Sequence, residues 1–468
     1  MSDAPGPLRS RMLEVFGRDA TFARVLSGSG WLIGGTVVAT AAGFVQSILV
    51  ARRLGAGGFG LLGLVLVVVM VGRQLLSSRV WEAATKYVVQ YREAGDPTRA
   101  TAALKLCYLV DACTGAVAFA VILATAPLVG EAFTKSPEGA SLIRLYAFSV
   151  LILIPRDPAL ALLRVAGAYR WLAFEMAGES ILTLGGVLLI VLANGDGARA
   201  VLTVYLGAQA AGSLALVVLT RPAERSLGLA SWGSAPLRAL RGELRPILRF
   251  MVYTNVSGTT RLVTGYADIL FLGAIATKHS VGLYRLALTL SYPIAALAQP
   301  VYQVVYPELT RLVALRDRKA ILSLQRKLSG AGAAVVVCTC VATTVAAGWV
   351  IPRVFGPQFS ESTPLLRIMV WQLVSVPFLW VSGFLLALGH PRRVALLASV
   401  DALVYLALLG ALVPPFHATG AAVATLLRFV VWTALAIAFS RRANREMGEA
   451  WKDGADERAG DKLTTTPR

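Results

Sequence analysis

The sequence is poor in charged residues for its length. Only 15% of its 468 residues are Asp, Glu, Lys or Arg, whereas 56% are hydrophobic and the mean hydropathy is +0.66. A water-soluble globule of this size needs far more polar surface than these residues supply. We therefore expect an integral membrane protein, and the uninterrupted apolar runs favour helical spans and exclude an outer-membrane barrel.

Cysteine and histidine are also scarce, and the motifs of common enzymes are absent. The four cysteines lie in apolar runs with no second pair to complete a zinc set, and the three histidines are scattered over separate turns. The sequence contains no phosphate-binding lysine loop, no His-Glu-x-x-His and no Gly-x-Ser-x-Gly. It therefore predicts no metal site, no cofactor and no enzymatic activity.

Apolar stretches long enough to cross a bilayer divide the chain. About twelve are present, near 30–50, 60–78, 104–127, 140–163, 171–194, 200–220, 248–274, 282–306, 329–351, 364–388, 394–413 and 418–440. The predicted parts are an amphipathic cytoplasmic N-terminal segment (1–27), a six-helix N-lobe (28–220), a cytoplasmic connector (221–246), a six-helix C-lobe (247–440) and a cytoplasmic polar tail (441–468). Because about 28 mixed residues precede the first apolar stretch, no cleavable signal is expected.

The net charge of +19 follows from this topology. With the N-terminus inside, 32 Lys and Arg residues lie on the cytoplasmic side. Six lie on the opposite side: Arg52, Arg53, Lys135, Arg199, Lys278 and Arg353. This distribution follows the positive-inside rule, so the basic residues need no nucleic-acid partner. We predict a multi-pass protein of the plasma or inner membrane with both termini in the cytoplasm.

The two halves of the sequence match each other at a shift of 222 residues. Phe59-Gly60-Leu61-Leu62 aligns with Val281-Gly282-Leu283-Tyr284, and Pro155 aligns with Pro377. Six is an even number of spans, so both lobes insert in the same orientation, and we expect a pseudo-twofold axis along the membrane normal. The predicted fold is an all-α polytopic membrane protein with two parallel-related six-helix lobes around a central cleft. The repeated prolines are hinge candidates, because each removes a backbone hydrogen bond within a span.

Ionisable side chains inside the spans are candidates for function, because burying one at bilayer depth is costly unless it meets water or a partner. Arg73, Arg261 and Arg285 are the deepest of seven arginines in or near the spans. A guanidinium stays charged and binds phosphate oxygens in a bidentate way, so we predict that these three bind an anion in the cleft. Salt bridges between helices are the alternative. Asp268 either neutralises Arg261 or Arg285, or takes up a coupling proton or sodium ion.

Other polar residues in the spans have two interpretations each. Three amides are further cavity candidates: Gln46, Asn255 and Gln299. They either contact a sugar or join helices by hydrogen bonds. Three arginines lie near span ends: Arg144, Arg367 and Arg428. Their long side chains are expected to reach the membrane interface, while Arg156 is interpreted as paired with its neighbour Asp157.

Several segments carry a family resemblance. Ala51-Arg52-Arg53-Leu54-Gly55-Ala56-Gly57-Gly58-Phe59-Gly60 follows the first span, and Lys86-Tyr87-Val88-Val89-Gln90-Tyr91-Arg92-Glu93-Ala94-Gly95-Asp96 follows the second. Later come Asp268-Ile269-Leu270-Phe271-Leu272-Gly273, Val281-Gly282-Leu283-Tyr284, Tyr306-Pro307-Glu308-Leu309 and Phe355-Gly356-Pro357-Gln358-Phe359. In this order, over residues 28–440, the segments resemble polysaccharide-biosynthesis flippases of the multidrug/oligosaccharidyl-lipid/polysaccharide exporter superfamily.

The resemblance implies a flippase that moves an undecaprenyl-diphosphate-linked oligosaccharide from the inner to the outer leaflet by alternating access, for assembly of O-antigen, capsule or exopolysaccharide. The implied partners are the lipid-linked oligosaccharide, membrane lipid, a polysaccharide polymerase and other assembly proteins. The alternatives are a cation-coupled multidrug exporter of the same superfamily, a lipid II-type peptidoglycan-precursor flippase, and a membrane glycosyltransferase or polymerase. The arginine-rich interior disfavours an exporter of cations, and the missing acidic loop motifs disfavour an enzyme.

Overall fold

The computed structural model describes residues 20–76, 80–193, 197–230, 235–296 and 299–464, and within these ranges it contains helices and no strand. The α-helices are α1 (Ala20–Leu76), α2 (Val80–Glu93), α3 (Pro97–Val129), α4 (Pro137–Ile152), α5 (Arg156–Val165), α6 (Tyr169–Leu192), α7 (Ala198–Ser226), α8 (Leu244–Ile275), α9 (Lys278–Ala296), α10 (Gln299–Ala314), α11 (Arg318–Val354), α12 (Ser362–Met369), α13 (Trp380–Ala387) and α14 (Pro391–Thr464). A π-helical turn lies at Gly130–Thr134, and 3₁₀ segments lie at Leu237–Leu240, Pro357–Phe359 and Val370–Phe378. Hydrocarbon offers backbone groups no partner, and a helix satisfies them internally.

Eight described helical stretches are long and apolar enough to span a membrane. Two of them are long enough to cross the bilayer twice: Gly30–Leu76 has 47 residues and Pro391–Glu449 has 59. A helix of 47 residues is about 70 Å long, whereas the hydrocarbon core of a bilayer is about 30 Å thick. Each long stretch is interrupted by one non-helical residue, Gly55 in α1 and His417 in α14. Each therefore supplies two of the predicted spans.

The seventh and eighth predicted spans fall in α8 and in α9 with α10. Gly55 has φ +64°, a left-handed conformation that glycine adopts without strain. A shift of 222 residues carries Gly55 to Thr277, which lies in the turn between α8 and α9. The break between the first two spans of each repeat therefore occurs at the same position.

Large apolar side chains on the spans point away from the protein. Leu189 and Leu192 on α6 are 68% and 75% exposed, and Val345 on α11 is 74% exposed. Such side chains are unfavourable in water but are matched by lipid tails. The outward apolar surface agrees with a membrane location.

The structure describes more of the predicted C-terminal tail than of the predicted N-terminal segment. Residues 1–19, most of the predicted amphipathic segment 1–27, lie outside the described residues. At the other end, α14 continues through the predicted polar tail to Thr464.

The first compact unit, unit 1, comprises Met1–Leu49, Gly72–Thr125 and Arg144–Gly258. Its buried core joins α2, α3 and α5 with the first turns of α8, around Leu104 and Leu162. The short helices α2 and α5 pack directly against each other. This core holds the ends of several spans in fixed positions within the unit.

The second compact unit, unit 2, comprises Val50–Val71, Ala126–Ile143 and Thr259–Arg468. One of its buried clusters joins α10, α11, α13 and α14 and includes Trp380 and Phe384. Unit 2 thus contains short segments of the first repeat together with the second. The predicted lobe boundaries describe the order of spans along the chain, and they remain a prediction.

Within unit 2, α1 and α9 cross at two glycines that the internal repeat aligns. A Cβ atom on Gly60 would overlap the carbonyl oxygen of Lys278, and a Cβ atom on Gly282 would overlap that of Ala56. The shift of 222 residues relates Ala56 to Lys278 as well as Gly60 to Gly282. The two contacts are therefore equivalent, and a local twofold axis relates them. Small residues let helix backbones approach this closely.

Two of the six basic residues predicted outside the cytoplasmic face cap helix ends within unit 2. Arg52 donates to the carbonyl oxygens of Arg353 and Val354, where α11 ends. Lys135 donates to the carbonyl oxygens of Ile275 and Ala276 at 3.0 and 3.2 Å, where α8 ends. The last carbonyls of a helix lack intrahelical partners and carry partial negative charge, which a cation stabilises. Capping accounts for these two exceptions to the positive-inside distribution.

The repeated prolines interrupt equivalent spans. Pro155 lies in the break between α4 and α5, and Pro377 lies in the 3₁₀ segment between α12 and α13. Both breaks follow from the missing backbone donor of proline. A stretch of 3₁₀ helix in the middle of a span often marks a hinge, and the hinge role of the two prolines remains a prediction.

We predict that Gly60→Ala destabilises the protein by about 1 to 3 kcal/mol, because its methyl group forces the α1 and α9 backbones apart. Gly57→Ala is the matched control on the same helix, since a Cβ atom at Gly57 meets no atom within 4 Å. Thermal unfolding of the purified protein in detergent measures both. Equal midpoints for the two variants would contradict the close crossing.

Candidate functional site: charged and polar residues within the spans

The structure describes the side chains of four of the seven predicted cavity residues: Gln46, Arg73, Asp268 and Arg285. The other three lie on α8 and α10, but their side chains fall outside the described residues: Asn255, Arg261 and Gln299. Gln46 and Arg73 belong to unit 1, and Asp268 and Arg285 belong to unit 2.

Unit 1 contains a cluster of ion pairs that joins α1, α5 and α6. Arg73 donates to Asp157 at 3.3 Å, and Arg156 contacts Glu175 at 3.0 Å and Glu179 at 2.5 Å. The interpretation that Arg156 pairs with Asp157 differs from these contacts. Adjacent residues on a helix do not face each other, so the two side chains of α5 reach different helices.

Unit 1 also contains two hydrogen bonds between an amide side chain and a tyrosine hydroxyl. Gln46 donates to the hydroxyl of Tyr205 at 2.6 Å, and Gln209 donates to that of Tyr146 at 3.0 Å. Both bonds connect different helices, which is the helix-joining role considered for Gln46. Gly212 faces the carboxylates of α6, because a Cβ atom there would lie 2.9 Å from Glu179 Oε2.

In unit 2, Asp268 lies at the centre of a buried hydrogen-bond network. Its Oδ2 accepts from the Tyr284 hydroxyl at 2.5 Å, and its Oδ1 accepts from the backbone N–H of Ile269 at 2.8 Å. Thr425 lies 3.1 Å from the hydroxyls of both Tyr284 and Tyr405. These polar groups satisfy one another away from water, as a buried network must.

Arg428 extends this network to Asp401. Its Nε and Nη2 donate to the two oxygens of Asp401 at 2.8 and 2.7 Å, and its Nη1 donates to the Thr264 carbonyl at 2.8 Å. The guanidinium also lies 4.5 Å from the ring centroid of Tyr405. Both side chains of the pair are only 11% exposed. The Arg428 side chain is therefore largely enclosed by the protein, whereas the sequence predicts a side chain that reaches the membrane interface.

Arg285 packs over Gly63, the residue that occupies the equivalent position in the other repeat. Its Nη1 donates to the carbonyl oxygen of Phe59 at 3.1 Å, and its guanidinium lies 4.7 Å from the Phe59 ring centroid. A Cβ atom at Gly63 would press on the Arg285 side chain. Gly63 and Arg285 are 222 residues apart, so one repeat supplies the cation and the other supplies the space for it. The arginine breaks the local symmetry of the α1–α9 crossing.

These clusters differ in what they offer chemically. Among the described residues, no group of three or more His, Cys, Asp and Glu lies close enough to hold a metal ion. The guanidinium groups offer charge and paired N–H donors, which suit an anion. The carboxylates offer sites for proton exchange or for a cation.

The two most enclosed sets of ion pairs in the spans were not predicted from the sequence. They are the pair of Arg428 with Asp401 and the pairs of Arg156 with Glu175 and Glu179. The helical spacing gave no signal, because the break at His417 separates Asp401 from Arg428 within α14, and because Arg156 and its partners lie on different helices. The number of carboxylates inside the spans was the available signal, since each buried charge needs a partner.

A comparison with protein families decides between the possible classes of membrane protein. A family model described as polysaccharide biosynthesis protein matches residues 48–364, which is more than half of the chain. The chain belongs to this family of polysaccharide biosynthesis proteins. No curated protein matches it in sequence.

Solved structures of transporters share the fold of this polysaccharide biosynthesis protein. An inward-facing MATE family multidrug resistance transporter of the MOP superfamily matches with a TM-score of 0.73 and 13% identity, over 88% of this chain and 96% of that chain. The lipid II flippase MurJ in an inward closed conformation matches with a TM-score of 0.69 and 12% identity, over 93% and 92%. A MOP superfamily transporter from Pyrococcus furiosus matches with a TM-score of 0.62 and 14% identity, over 91% and 96%.

The predicted family and fold class are confirmed. Throughout its described residues the polysaccharide biosynthesis protein is an all-α polytopic membrane protein, and the solved transporter structures share its fold. At 12 to 14% identity, the neighbours establish the fold. The assignment of individual residues to substrate binding remains a prediction.

We predict that Arg428→Met destabilises the polysaccharide biosynthesis protein by about 3 to 5 kcal/mol, because it leaves Asp401 buried without its bidentate partner. Adding Asp401→Leu should recover most of the loss, since the double variant removes both partners of the ion pair together. Thermal unfolding in detergent measures the single and double variants. A double variant that is less stable than the single one would contradict the pairing.

Proposed function

We propose that this protein is a flippase that moves a lipid-linked oligosaccharide, of the undecaprenyl-diphosphate type, from the inner to the outer leaflet for synthesis of O-antigen, capsule or exopolysaccharide. The observation that carries the proposal is membership of the polysaccharide biosynthesis family together with a transporter fold. The family resemblance implies a lipid-linked glycan as the substrate, and a polytopic protein with a transporter fold is suited to moving it. The protein then acts in the inner membrane, with both termini cytoplasmic, beside a polymerase and other assembly proteins.

Alternating access is the proposed mechanism. In a flippase with two parallel repeats, a central cleft opens to one face of the membrane and then to the other. The α1–α9 crossing and the caps made by Arg52 and Lys135 join segments of both repeats inside unit 2. These contacts lie at span ends predicted to face away from the cytoplasm. We propose that they close that face and separate when the cleft opens outward.

The substrate's diphosphate determines which residues the proposed cleft needs. A diphosphate brings about two negative charges into a medium of low dielectric, where an unpaired anion is very costly. The Arg285 guanidinium donates to the carbonyl oxygen of Phe59 and lies over its ring, and it brings a permanent positive charge into unit 2. Arg73 is held by one ion pair and keeps 22% of its side chain exposed. Together with Arg261, these arginines are the proposed diphosphate ligands.

Amide side chains are proposed to contact the glycan, and a carboxylate is proposed to couple transport to an ion. Gln46 on α1, with Asn255 and Gln299, offers amide groups that suit sugar hydroxyls. Asp268 is the proposed acidic group that responds to a proton or sodium ion, because its carboxylate lies inside a span. Pro155 and Pro377 are the proposed hinges.

A cation-coupled multidrug exporter is the second candidate. The TM-score of 0.73 with a MATE family transporter favours it, and so do the carboxylates inside the spans. A lipid II-type flippase is a variant of the first candidate, favoured by the likeness to MurJ. The three differ in what accumulates when transport stops.

Deletion of the gene followed by analysis of lipid-linked intermediates separates these functions. We expect an undecaprenyl-linked oligosaccharide to accumulate on the cytoplasmic side and the surface polysaccharide to be lost. Resistance to cationic drugs and the level of lipid II should stay unchanged. Loss of drug resistance with normal surface glycans would establish the exporter instead.

Arginine variants test the proposed diphosphate ligands. We expect Arg73→Ala, Arg261→Ala and Arg285→Ala each to weaken binding of the lipid-diphosphate substrate by about tenfold or more, the value of one charge-assisted hydrogen bond. Arg→Lys at the same positions should restore binding only in part, because the bidentate fork is lost. Binding to purified protein is the measurement.

The exposed Arg144 on α4 provides the control for these variants. Arg144→Ala removes the same charge from a predicted span end and should bind substrate normally. Unchanged binding in all three test variants would refute the assignment while leaving the flippase function itself to the deletion experiment.

A further inference from the structure

A basic pocket lies within unit 1, apart from the charged clusters of the spans. It is a cavity of about 810 Å³ lined by Lys86, Tyr87, Arg245, Pro246, Arg249 and Phe250. These residues come from α2 and from the first turns of α8. In the predicted topology, α2 follows the second span and α8 leads into the seventh, so the pocket lies where the cytoplasm meets the membrane.

The walls of the pocket combine cations with aromatic rings. Lys86 Nζ lies 4.3 Å from the Phe250 ring centroid and 5.0 Å from that of Tyr87. The Tyr87 and Phe250 rings meet edge to face at 5.8 Å, and Tyr87 stacks on Tyr91 at 6.1 Å. These contacts fix the aromatic floor and hold the lysine over it.

The mouth of the pocket is positively charged and open. Lys86, Arg245 and Arg249 are exposed, whereas Tyr87 is buried and Phe250 is half-buried. Burial, and next to it the charge of Glu243, raise the pKa of Tyr87. Tyr87 therefore stays a neutral phenol beneath the three basic side chains that line the opening.

This combination matches one class of ligand. Clustered Lys and Arg at the cytoplasmic side of a span attract the phosphates of anionic lipids. The cavity is larger than a phosphate ion requires, and its aromatic floor suits the apolar part of a headgroup region. We propose that the pocket binds the phosphate of a membrane lipid headgroup in the cytoplasmic leaflet, with the phosphate on the three cations and the adjoining glycerol or prenyl carbons on Phe250.

The proposed site does not depend on the flippase function. Either an anionic phospholipid or a polyprenyl diphosphate presents the required phosphate and apolar chain. A soluble diphosphate presents the charge without the chain. Probes of each kind therefore identify the source of the ligand.

The test is binding to the purified full chain in neutral detergent, measured by native mass spectrometry with phosphatidylglycerol, a polyprenyl diphosphate, inorganic diphosphate and diacylglycerol. We expect both phosphate lipids to bind and diacylglycerol to be excluded. The triple variant Lys86→Gln, Arg245→Gln, Arg249→Gln should bind phosphatidylglycerol, which the proposed cleft site does not require, about tenfold more weakly or worse. Phe250→Leu should weaken binding of the lipids but leave that of inorganic diphosphate unchanged.

A triple variant with the same loss of charge provides the control. Arg92→Gln, Arg326→Gln, Lys327→Gln removes three exposed cations elsewhere on the predicted cytoplasmic face and should bind lipid normally. If both triple variants lost the same amount of lipid binding, the loss would follow from net charge alone, and the proposed site would be overturned. Phosphatidylglycerol binding that survives the pocket variant overturns it too. Inorganic diphosphate binding as tightly as the lipids would overturn the lipid assignment.

Discussion

The hydrocarbon core of the membrane imposes the constraint on which this structure depends: each polar group inside it must find a partner within the protein. Helices satisfy the backbone, and a charged side chain needs an opposite charge or a hydrogen bond. The pairs of Arg156 with Glu179 and of Arg428 with Asp401 meet this requirement inside their own units. At helix ends, Lys135 performs the same task for carbonyl groups.

An internal repeat places equivalent residues against each other. Gly60 and Gly282 cross at close range because neither has a side chain, and the contact is the same from both helices. One position nearby departs from this symmetry, where Arg285 occupies the space that Gly63 leaves. A single arginine avoids the repulsion that two equivalent cations would suffer there. The two repeats thus share the close helix crossing and differ there by the charge of Arg285.

The spans, the repeat and the family were predictable because they depend on local properties of the sequence, namely apolar length, glycine and proline positions, and ordered motifs. The breaks at Gly55 and Pro377 fall where glycine and proline signal them. The ionic partners were not predictable, because hydropathy does not fix the rotation of a helix about its axis. For this reason Arg428 was placed at the interface and Arg156 was paired with its neighbour. The grouping of span ends from the first repeat into unit 2 depends on tertiary contacts that no local pattern encodes.

We propose that this polysaccharide biosynthesis protein moves a lipid diphosphate between leaflets. Reconstitution of the purified protein in vesicles with a fluorescent undecaprenyl-diphosphate oligosaccharide measures this most directly, when a quencher that cannot cross the membrane reports the outer leaflet. We expect the lipid to equilibrate between leaflets faster in vesicles that contain the protein than in empty vesicles, and we expect Arg285→Ala to slow the exchange. A rate equal to that of protein-free vesicles, in the presence of a proton or sodium gradient as well as without one, would contradict the proposal.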